Sequence, residues 1–146
     1  MRTVQEIFDE TIHLIDGQNE STGATLTSDT KEYALRTPNC LNQILNMAYP
    51  YSDTYQARAD GRRPTHRAVT EMTDTVEMDD YICMSVLPAG LAARLLVEEN
   101  PDVAAFYQQT FEECLAMARA SLPATVESVE DVYGCTLEYG EFSRWG

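Results

Sequence analysis

The sequence has few residues of the types that bind nucleic acid or cross a membrane. Only 10 of its 146 residues are lysine or arginine, against 24 aspartates and glutamates, and the formal net charge is −14. Because duplex DNA is bound through a basic face, this balance argues against an ordinary DNA-binding protein. No apolar run approaches the ~18 residues of a membrane span, and the N-terminus mixes apolar with charged residues, unlike a secretory signal. We expect a soluble protein, made in a cytoplasm and not associated with a membrane.

Catalytic and metal-binding motifs are also missing. The sequence contains no phosphate-binding glycine loop, no G-x-S-x-G and no H-E-x-x-H. Its four cysteines, Cys40, Cys83, Cys114 and Cys135, are widely spaced and have only two histidines as partners, which matches neither a zinc site nor a redox pair. The first three lie among apolar neighbours in predicted helices, so we expect buried free thiols there. We therefore expect neither an enzyme nor a cofactor.

Apolar residues recur at helical spacing in four stretches, which predicts an all-α fold over residues 1–122: a small bundle of about four helices. The first helix opens with Thr3 and Glu6 at capping-box spacing. It should run to Gly17, since glycine favours the left-handed C-terminal cap.

The second predicted helix begins near Ser28 or Asp29, where Asp29 and Glu32 repeat the capping-box spacing. Its apolar face continues to Ala48. The stretch Tyr49–Asp53 should end the helix, because the residue before a proline is pushed out of the α region.

The third and fourth helices form a predicted antiparallel hairpin. Asp79 and Asp80 open the third helix with the charge that suits an N-terminal dipole. Asn100 and Pro101 then act as N-cap and first helical residue of the fourth, so that the connection between the two helices is very short.

Three residues unfavourable to helices lie within these patterns: Pro38, Pro88 and Gly90. An interior proline costs roughly 3 kcal/mol and a glycine roughly 1 kcal/mol relative to alanine, so packing must outweigh helix propensity there. We interpret them as helix kinks that let the helices curve around their neighbours. For Pro88 and Gly90, the alternative is a hinge that resets contact angles between subunits of an assembly.

Residues 52–77 show no helical period, and form a predicted long central loop. Val69, Met72 and Val76 are sparse but allow a short hairpin. A loop of this length in a compact domain is either functional or disordered. Its basic residues, which make the net charge of residues 58–67 +3, favour an inter-subunit or partner contact; they are Arg58, Arg62, Arg63 and Arg67. The alternatives are a solvated loop and, as a minor option, contact with DNA phosphates.

Residues 123–146, the C-terminal segment, also lack helical periodicity, and we expect an extended docking arm. Disordered tails are normally poor in aromatic residues, whereas interfaces are rich in them. This segment concentrates aromatic residues and has one arginine; its proposed docking residues are Tyr133, Tyr139, Phe142, Arg144 and Trp145. The alternative is that the segment folds back over its own bundle.

Taken together, four features of the sequence resemble the head-tail connector (adaptor) proteins of tailed bacteriophages. They are the helix VQEIFDETIHLID, the helix ending LNQILNMAYPYSD, the helix pair DDYICMSVLPAGLAARLLVEENPDVAAFYQQTFEECLAMA, and the late VYG. These stretches cover most of the chain. The resemblance lies in the pattern and not in one diagnostic motif, and residues 52–77 form a longer connection than is typical of the family.

The resemblance implies a structural virion protein of the neck region, assembled in the cytoplasm of a bacterial host. About twelve copies would form a ring beneath the portal protein, extend the DNA channel, and carry the stopper or tail-completion protein. Viral DNA would pass through without sequence-specific binding, and the C-terminal arm would dock on the portal. The competing hypothesis is a non-viral acidic helical module that regulates a basic partner. A helix-turn-helix DNA binder is disfavoured, because the helices carry few arginines and many acids.

Overall fold

The computed structural model of the protein describes residues 1–15 and 20–122. In that part of the chain four α-helices pack together: α1 (Val4–Leu14), α2 (Lys31–Ala48), α3 (Leu87–Leu96) and α4 (Pro101–Ser121). The strands β1 (Arg2–Thr3) and β2 (Thr75–Val76) form a short antiparallel pair. The predicted all-α bundle is confirmed. The predicted arm, residues 123–146, and the predicted end of the first helix at Gly17 lie outside the described residues.

Helix α3 lies at the centre of the bundle. It contacts α1, α2 and α4, and nearly all of its residues are buried. A helix that is apolar on every side belongs inside a protein, because each face then removes apolar surface from water. The predicted hairpin of the third and fourth helices is present, and α1 and α2 cover the remaining sides of α3.

The predicted caps at Thr3 and Asn100 are confirmed. Thr3 Oγ1 accepts a hydrogen bond from the Glu6 N–H (3.2 Å), and Asn100 Oδ1 accepts one from the Val103 N–H (3.3 Å). Each satisfies a backbone donor that has no partner inside the helix. The Glu6 carboxylate does not complete the capping box, since it accepts from Arg2 Nη1 at 3.3 Å.

The predicted capping box at the start of the second helix is wrong. The N-cap of α2 is Thr30, which has helical backbone angles and makes no side-chain capping bond. Its hydroxyl instead donates to Thr25 O (2.6 Å) and accepts from the Thr27 N–H (2.8 Å). These bonds build a threonine-rich turn that places the first residue of the helix after Asp29, so Asp29 and Glu32 cannot form the box.

The predicted stop at the end of the second helix has a different geometry. Tyr49 stays in the α region, with φ −54° and ψ −43°, and its N–H bonds Leu45 O. Residues Tyr49–Tyr51 then form a 3₁₀ turn that contains Pro50. The helix thus tightens before it ends at Ser52, because a 3₁₀ turn accommodates proline near its start.

Helix α2 continues through Pro38 without a break. One residue earlier, the Thr37 hydroxyl donates to Tyr33 O at 2.7 Å. A threonine hydroxyl that bonds the carbonyl four residues earlier tends to bend a helix, and so does a proline. We therefore expect α2 to curve towards the core at Thr37 and Pro38.

Pro88 follows a π turn, Ile82–Val86, in which the Leu87 N–H bonds Ile82 O five residues back. In a regular α-helix the proline ring would meet the carbonyl four residues earlier. The wider π turn relieves that clash, and α3 starts immediately afterwards with Pro88 in its first turn. The sequence pattern indicated helix over this stretch but did not predict the π turn.

Gly90 lies where three helices converge. A Cβ built on Gly90 would be 2.8 Å from Phe111 Cδ2 of α4 and 3.0 Å from Ile44 Cδ1 of α2. These distances are shorter than carbon atoms tolerate in packed interiors. Gly90 therefore has a packing role: it lets α3 approach both neighbours closely.

Candidate interaction surfaces

The two ends of the 52–77 loop are held together at Asp79, just before the helical turns that lead into α3. Asp79 Oδ1 accepts from the Ser52 hydroxyl (2.8 Å) and from the Asp53 N–H (3.1 Å), while its Oδ2 accepts from the Ile82 N–H (3.3 Å). The same carboxylate thus lies at the N-terminus of the helical turns that lead into α3, where an acid is expected, and it also holds the loop's first residues. Thr54 Oγ1 also donates to Glu77 O at 2.6 Å.

The second half of the loop is fixed to α2 by two asparagines one turn apart. Asn42 exchanges two hydrogen bonds with the backbone of Val69, both 2.8 Å long, and Asn46 Oδ1 accepts from the His66 N–H at 2.9 Å. Val69 is buried in the main core. These contacts make residues 66–77 part of the bundle, so only the first half of the loop projects from it.

His66 is a structural residue. It is buried, and its Nε2 accepts a hydrogen bond from the Glu77 N–H at 3.0 Å. The hydrogen must therefore be on Nδ1, which donates to Arg67 O at 2.6 Å. The ring also meets Tyr49 edge-on, with centroids 5.7 Å apart. Both ring nitrogens are occupied, which leaves neither available for catalysis or for a metal.

Val69, Met72 and Val76 do not form the short hairpin that their spacing allows. Val76 pairs with Arg2 of β1, and Met72 O accepts from the Gln5 N–H at 2.8 Å. The first turn of α1 has backbone donors without helical partners, and this segment supplies acceptors for them. Hydrophobic spacing within the loop could not show that its partner is the N-terminus.

The loop arginines surround a tight turn at Asp60. Arg58 donates to both carboxylate oxygens of Asp60, at 3.1 and 2.8 Å, and the Arg62 N–H donates to Oδ1 at 3.1 Å. Gly61 follows with φ +72°, a conformation that glycine adopts without strain. Arg63 is exposed and makes no hydrogen bond or ion pair with the described residues. We call residues 58–63 the arginine tip.

Arg67 is separated from the arginine tip. It is exposed beside the anchored half of the loop, where its Nη2 lies 3.5 Å from Thr75 O. The structure therefore brings Arg58, Arg62 and Arg63 together around one turn and places Arg67 closer to β2.

The thiols differ in burial. Cys83 is fully buried, and burial raises its pKa to about 11, so it is unreactive at neutral pH. Cys40 and Cys114 are half-buried. Burial also raises the pKa of Cys40, although the nearby guanidinium groups of Arg36 and Arg94 oppose that change. The prediction of buried thiols is thus confirmed for Cys83 and holds in part for Cys40 and Cys114.

A groove of about 530 Å³ lies between α2, the end of α3 and the start of α4. The residues that line it include one arginine, one cysteine, two glutamines and two alanines of α4: Arg94, Cys40, Gln43, Gln108, Ala104 and Ala105. The Nε of Arg94 is shielded from solvent and has no hydrogen-bond partner among residues 1–15 and 20–122. The groove has no signature in the sequence, because its residues come from three helices.

The predicted docking residues of the C-terminal segment, Tyr133, Tyr139, Phe142, Arg144 and Trp145, lie outside the described residues, as does Cys135. Across the described ranges, no group of three or more histidines, cysteines or acids could hold a metal ion. No helix in that part is long and apolar enough to cross a membrane. No protein-family model matches the sequence, and no curated protein or solved structure matches it significantly.

Proposed function

We propose that this protein is a head-tail connector of a tailed bacteriophage, a structural protein that forms a ring of about twelve copies beneath the portal. In this role it extends the DNA channel and links the capsid to a stopper or tail-completion protein in the neck of the virion. The observation that carries the proposal is that three helices of the described part, α1, α2 and α4, pack around the central helix α3.

The central helix α3 packs against α1, α2 and α4. Its residues Leu87, Leu91 and Leu95 are each fully buried. We therefore expect the bundle to fold without the aromatic residues of the C-terminal segment. Since aromatic side chains supply much of the binding energy of interfaces, a segment rich in them and not needed for folding is suited to docking on another protein, here the portal.

The arginine tip supports the same role. Its guanidinium groups are exposed, while the loop that carries them is fastened to the bundle at residues 52–54 and 66–79. A basic patch on an acidic protein can meet an acidic surface of a neighbouring copy or of the portal, and complementary patches set the register between partners. The overall charge of −14 suits a channel wall, since acids facing the lumen repel DNA within a Debye length of about 8 Å.

Truncation after Pro123 tests the docking role of the C-terminal segment. The shortened chain should keep its helical circular dichroism and cooperative unfolding, and should no longer co-purify with the portal protein. Portal binding at the full-length level by the folded, truncated chain would refute docking through this segment.

Charge reversal tests the arginine tip. Arg62→Glu combined with Arg63→Glu should block ring assembly at low salt, as seen by electron microscopy of the protein with its portal. Lys31→Glu combined with Arg119→Glu, two exposed basic residues outside the tip, is the control with the same change of charge and should assemble normally. Equal assembly of both variants would show that the tip is a solvated loop.

The truncated chain and the Arg62/Arg63 variant also distinguish the connector from a regulatory module and from a DNA-binding protein. A regulatory module would ignore the portal and bind a basic protein through its acidic surface, with or without residues 123–146. A DNA-binding role for the arginine tip would appear as retardation of a labelled duplex at low salt, lost in the double Arg62/Arg63 variant.

A further inference from the structure

The groove between α2, α3 and α4 has an unusual charge for this chain. None of the lining residues in the described part of the chain is acidic, although acids outnumber basic residues 24 to 10 in the whole sequence. Its one charged lining residue is Arg94, and Arg36 lies one turn before Cys40 on α2. The groove is therefore a small cationic site on a strongly acidic protein.

The two arginines are only partly satisfied. Arg36 Nη2 donates to Leu95 O at 3.2 Å and its guanidinium lies over the Tyr33 ring, yet its Nε has no partner within the described ranges. Arg94 forms no hydrogen bond or ion pair there, and its Nε is shielded from water. A shielded guanidinium donor without an acceptor is unfavourable, and a carboxylate is its best partner.

Apart from two glutamines, Gln43 and Gln108, the other lining residues are apolar or weakly polar and mostly small. Ala93, Val97, Ala104 and Ala105 line the groove, and Val97 is 56% exposed. The volume of about 530 Å³ lies within the range of sites that enclose a ligand or a few side chains. The best occupant thus joins a carboxylate to a large apolar group.

We propose that this groove binds the C-terminal segment of the same chain, with Glu138 or Glu141 on Arg94 and the adjacent ring of Tyr139 or Phe142 on the apolar wall. The sequence Glu138-Tyr139-Gly140-Glu141-Phe142 places an acid directly before an aromatic residue twice. In each pair the carboxylate matches the Arg94 guanidinium and the aromatic ring matches the apolar wall.

The segment is long enough to reach. From Ser121 back to Ala104, α4 covers about 26 Å at 1.5 Å per residue. Residues 123–138 span up to about 50 Å when extended. About half of that length is enough to return along α4 to the groove. Tethering to the same chain also raises the local concentration of the segment into roughly the millimolar range.

This docking is independent of the proposed function and compatible with it. In the free chain the groove holds the segment; a partner that binds the aromatic residues more tightly, such as a portal, draws it out. The test below uses the isolated full-length chain. Its failure would leave portal docking untouched, and failure of portal docking would leave the groove proposal standing.

Native cysteines report the docking. Cys40 lines the groove and Cys135 lies three residues before Glu138. Incubation of dilute full-length protein with oxidised glutathione at mildly alkaline pH should give an intramolecular Cys40–Cys135 disulfide as the main cross-link, identified by mass spectrometry of peptides. Cys114, half-buried on α4, is the internal competitor.

A second measurement uses an acid placed in the groove. Ala105 is exposed, so Ala105→Glu leaves the core intact and repels an incoming carboxylate. We expect it to lower the yield of the Cys40–Cys135 cross-link about tenfold and to shift Trp145 emission to the red. Ala116→Glu, on the same face of α4 about three turns later, should change neither.

Three results would overturn the proposal. One is a Cys114–Cys135 bridge that equals or exceeds Cys40–Cys135. Another is the same cross-link yield and emission in the Ala105→Glu and Ala116→Glu variants. The third is a Cys40–Cys135 bridge found only between chains and rising with protein concentration, which would assign the groove to the segment of a second copy.

Discussion

Replacing Gly90 with alanine should destabilise the protein, even though alanine is the better helix former. Gly90 is in the first half of α3, which packs against α2 and α4. On an unobstructed helix this substitution would stabilise by roughly 1 kcal/mol, because glycine has the greater conformational freedom in the unfolded chain. The packing around Gly90 decides whether that gain survives.

The added methyl has no room. It would lie 2.8 and 3.0 Å from two ring atoms of Phe111, and 3.0 Å from Ile44 Cδ1. The end of Ile44 can rotate, but Phe111 is fully buried and its ring has little space to shift. Overpacking of this kind costs about 1–3 kcal/mol, and two obstructed sides place Gly90→Ala towards the upper end. Subtracting the helix gain leaves a net loss of about 1–2 kcal/mol in the free energy of unfolding.

Urea unfolding followed by far-UV circular dichroism measures this difference. The midpoint should fall with an unchanged slope, since the surface exposed on unfolding is the same. Ala116→Gly on the exposed face of α4 calibrates the propensity term alone and should cost about 1 kcal/mol.

Phe111→Leu provides the test of mechanism. It shortens the obstructing side chain, so Gly90→Ala should cost less in that background than in the wild type, a coupling that a double-mutant cycle detects. If Gly90→Ala instead raised the free energy of unfolding by about 1 kcal/mol in the wild type, Gly90 would be a simple helix defect, and the packing explanation would be refuted.

Three further changes probe the bundle and the loop. Burial and a hydrogen bond to the Glu99 carboxylate raise the pKa of Tyr33 to about 12 from its ordinary 10. Because the unfolded chain loses this proton first, the free energy of unfolding falls as pH rises from 10 to 12. Tyr33→Phe should show a smaller fall when urea titrations are repeated across that range. Asn100→Ala removes the N-cap of α4 and should lower the free energy of unfolding by about 1 kcal/mol, measured in urea. Asn42→Ala should speed tryptic cleavage within residues 52–77 under native conditions, because it frees the loop from α2, whereas Asn39→Ala on the exposed face of α2 should not.

Local sequence signals predicted the parts of the fold that depend on near neighbours. Thr3 and Asn100 cap helices because their side chains reach amides two or three residues away. Apolar spacing likewise identified the helices, since burying one face requires that spacing. The same local reasoning failed at Asp29, where a set of threonine hydrogen bonds took over the helix entry.

The features that were missed depend on contacts between distant residues. Nothing near Asn42 indicates that its amide will hold Val69, and the spacing around Val76 does not reveal β1 as its partner. The groove was missed for the same reason, since Arg94 becomes a candidate anion site only when helices from different parts of the chain enclose it. The sequence identifies Gly90 as unfavourable to a helix, but the reason for a glycine there is the Phe111 ring, which leaves no room for a side chain.

The anchoring of the loop also bears on how the arginine tip could bind. Ordering a free loop on docking costs binding energy, roughly 0.5–1.5 kcal/mol for each side chain fixed, in addition to the backbone. Here Asp79 and Asn46 already fix the two ends of the exposed stretch, and Asp60 holds the turn inside the tip. Much of the ordering is therefore complete before a partner arrives. Arg63, which has no partner among the described residues, is then the side chain whose charge is most available to an acidic surface.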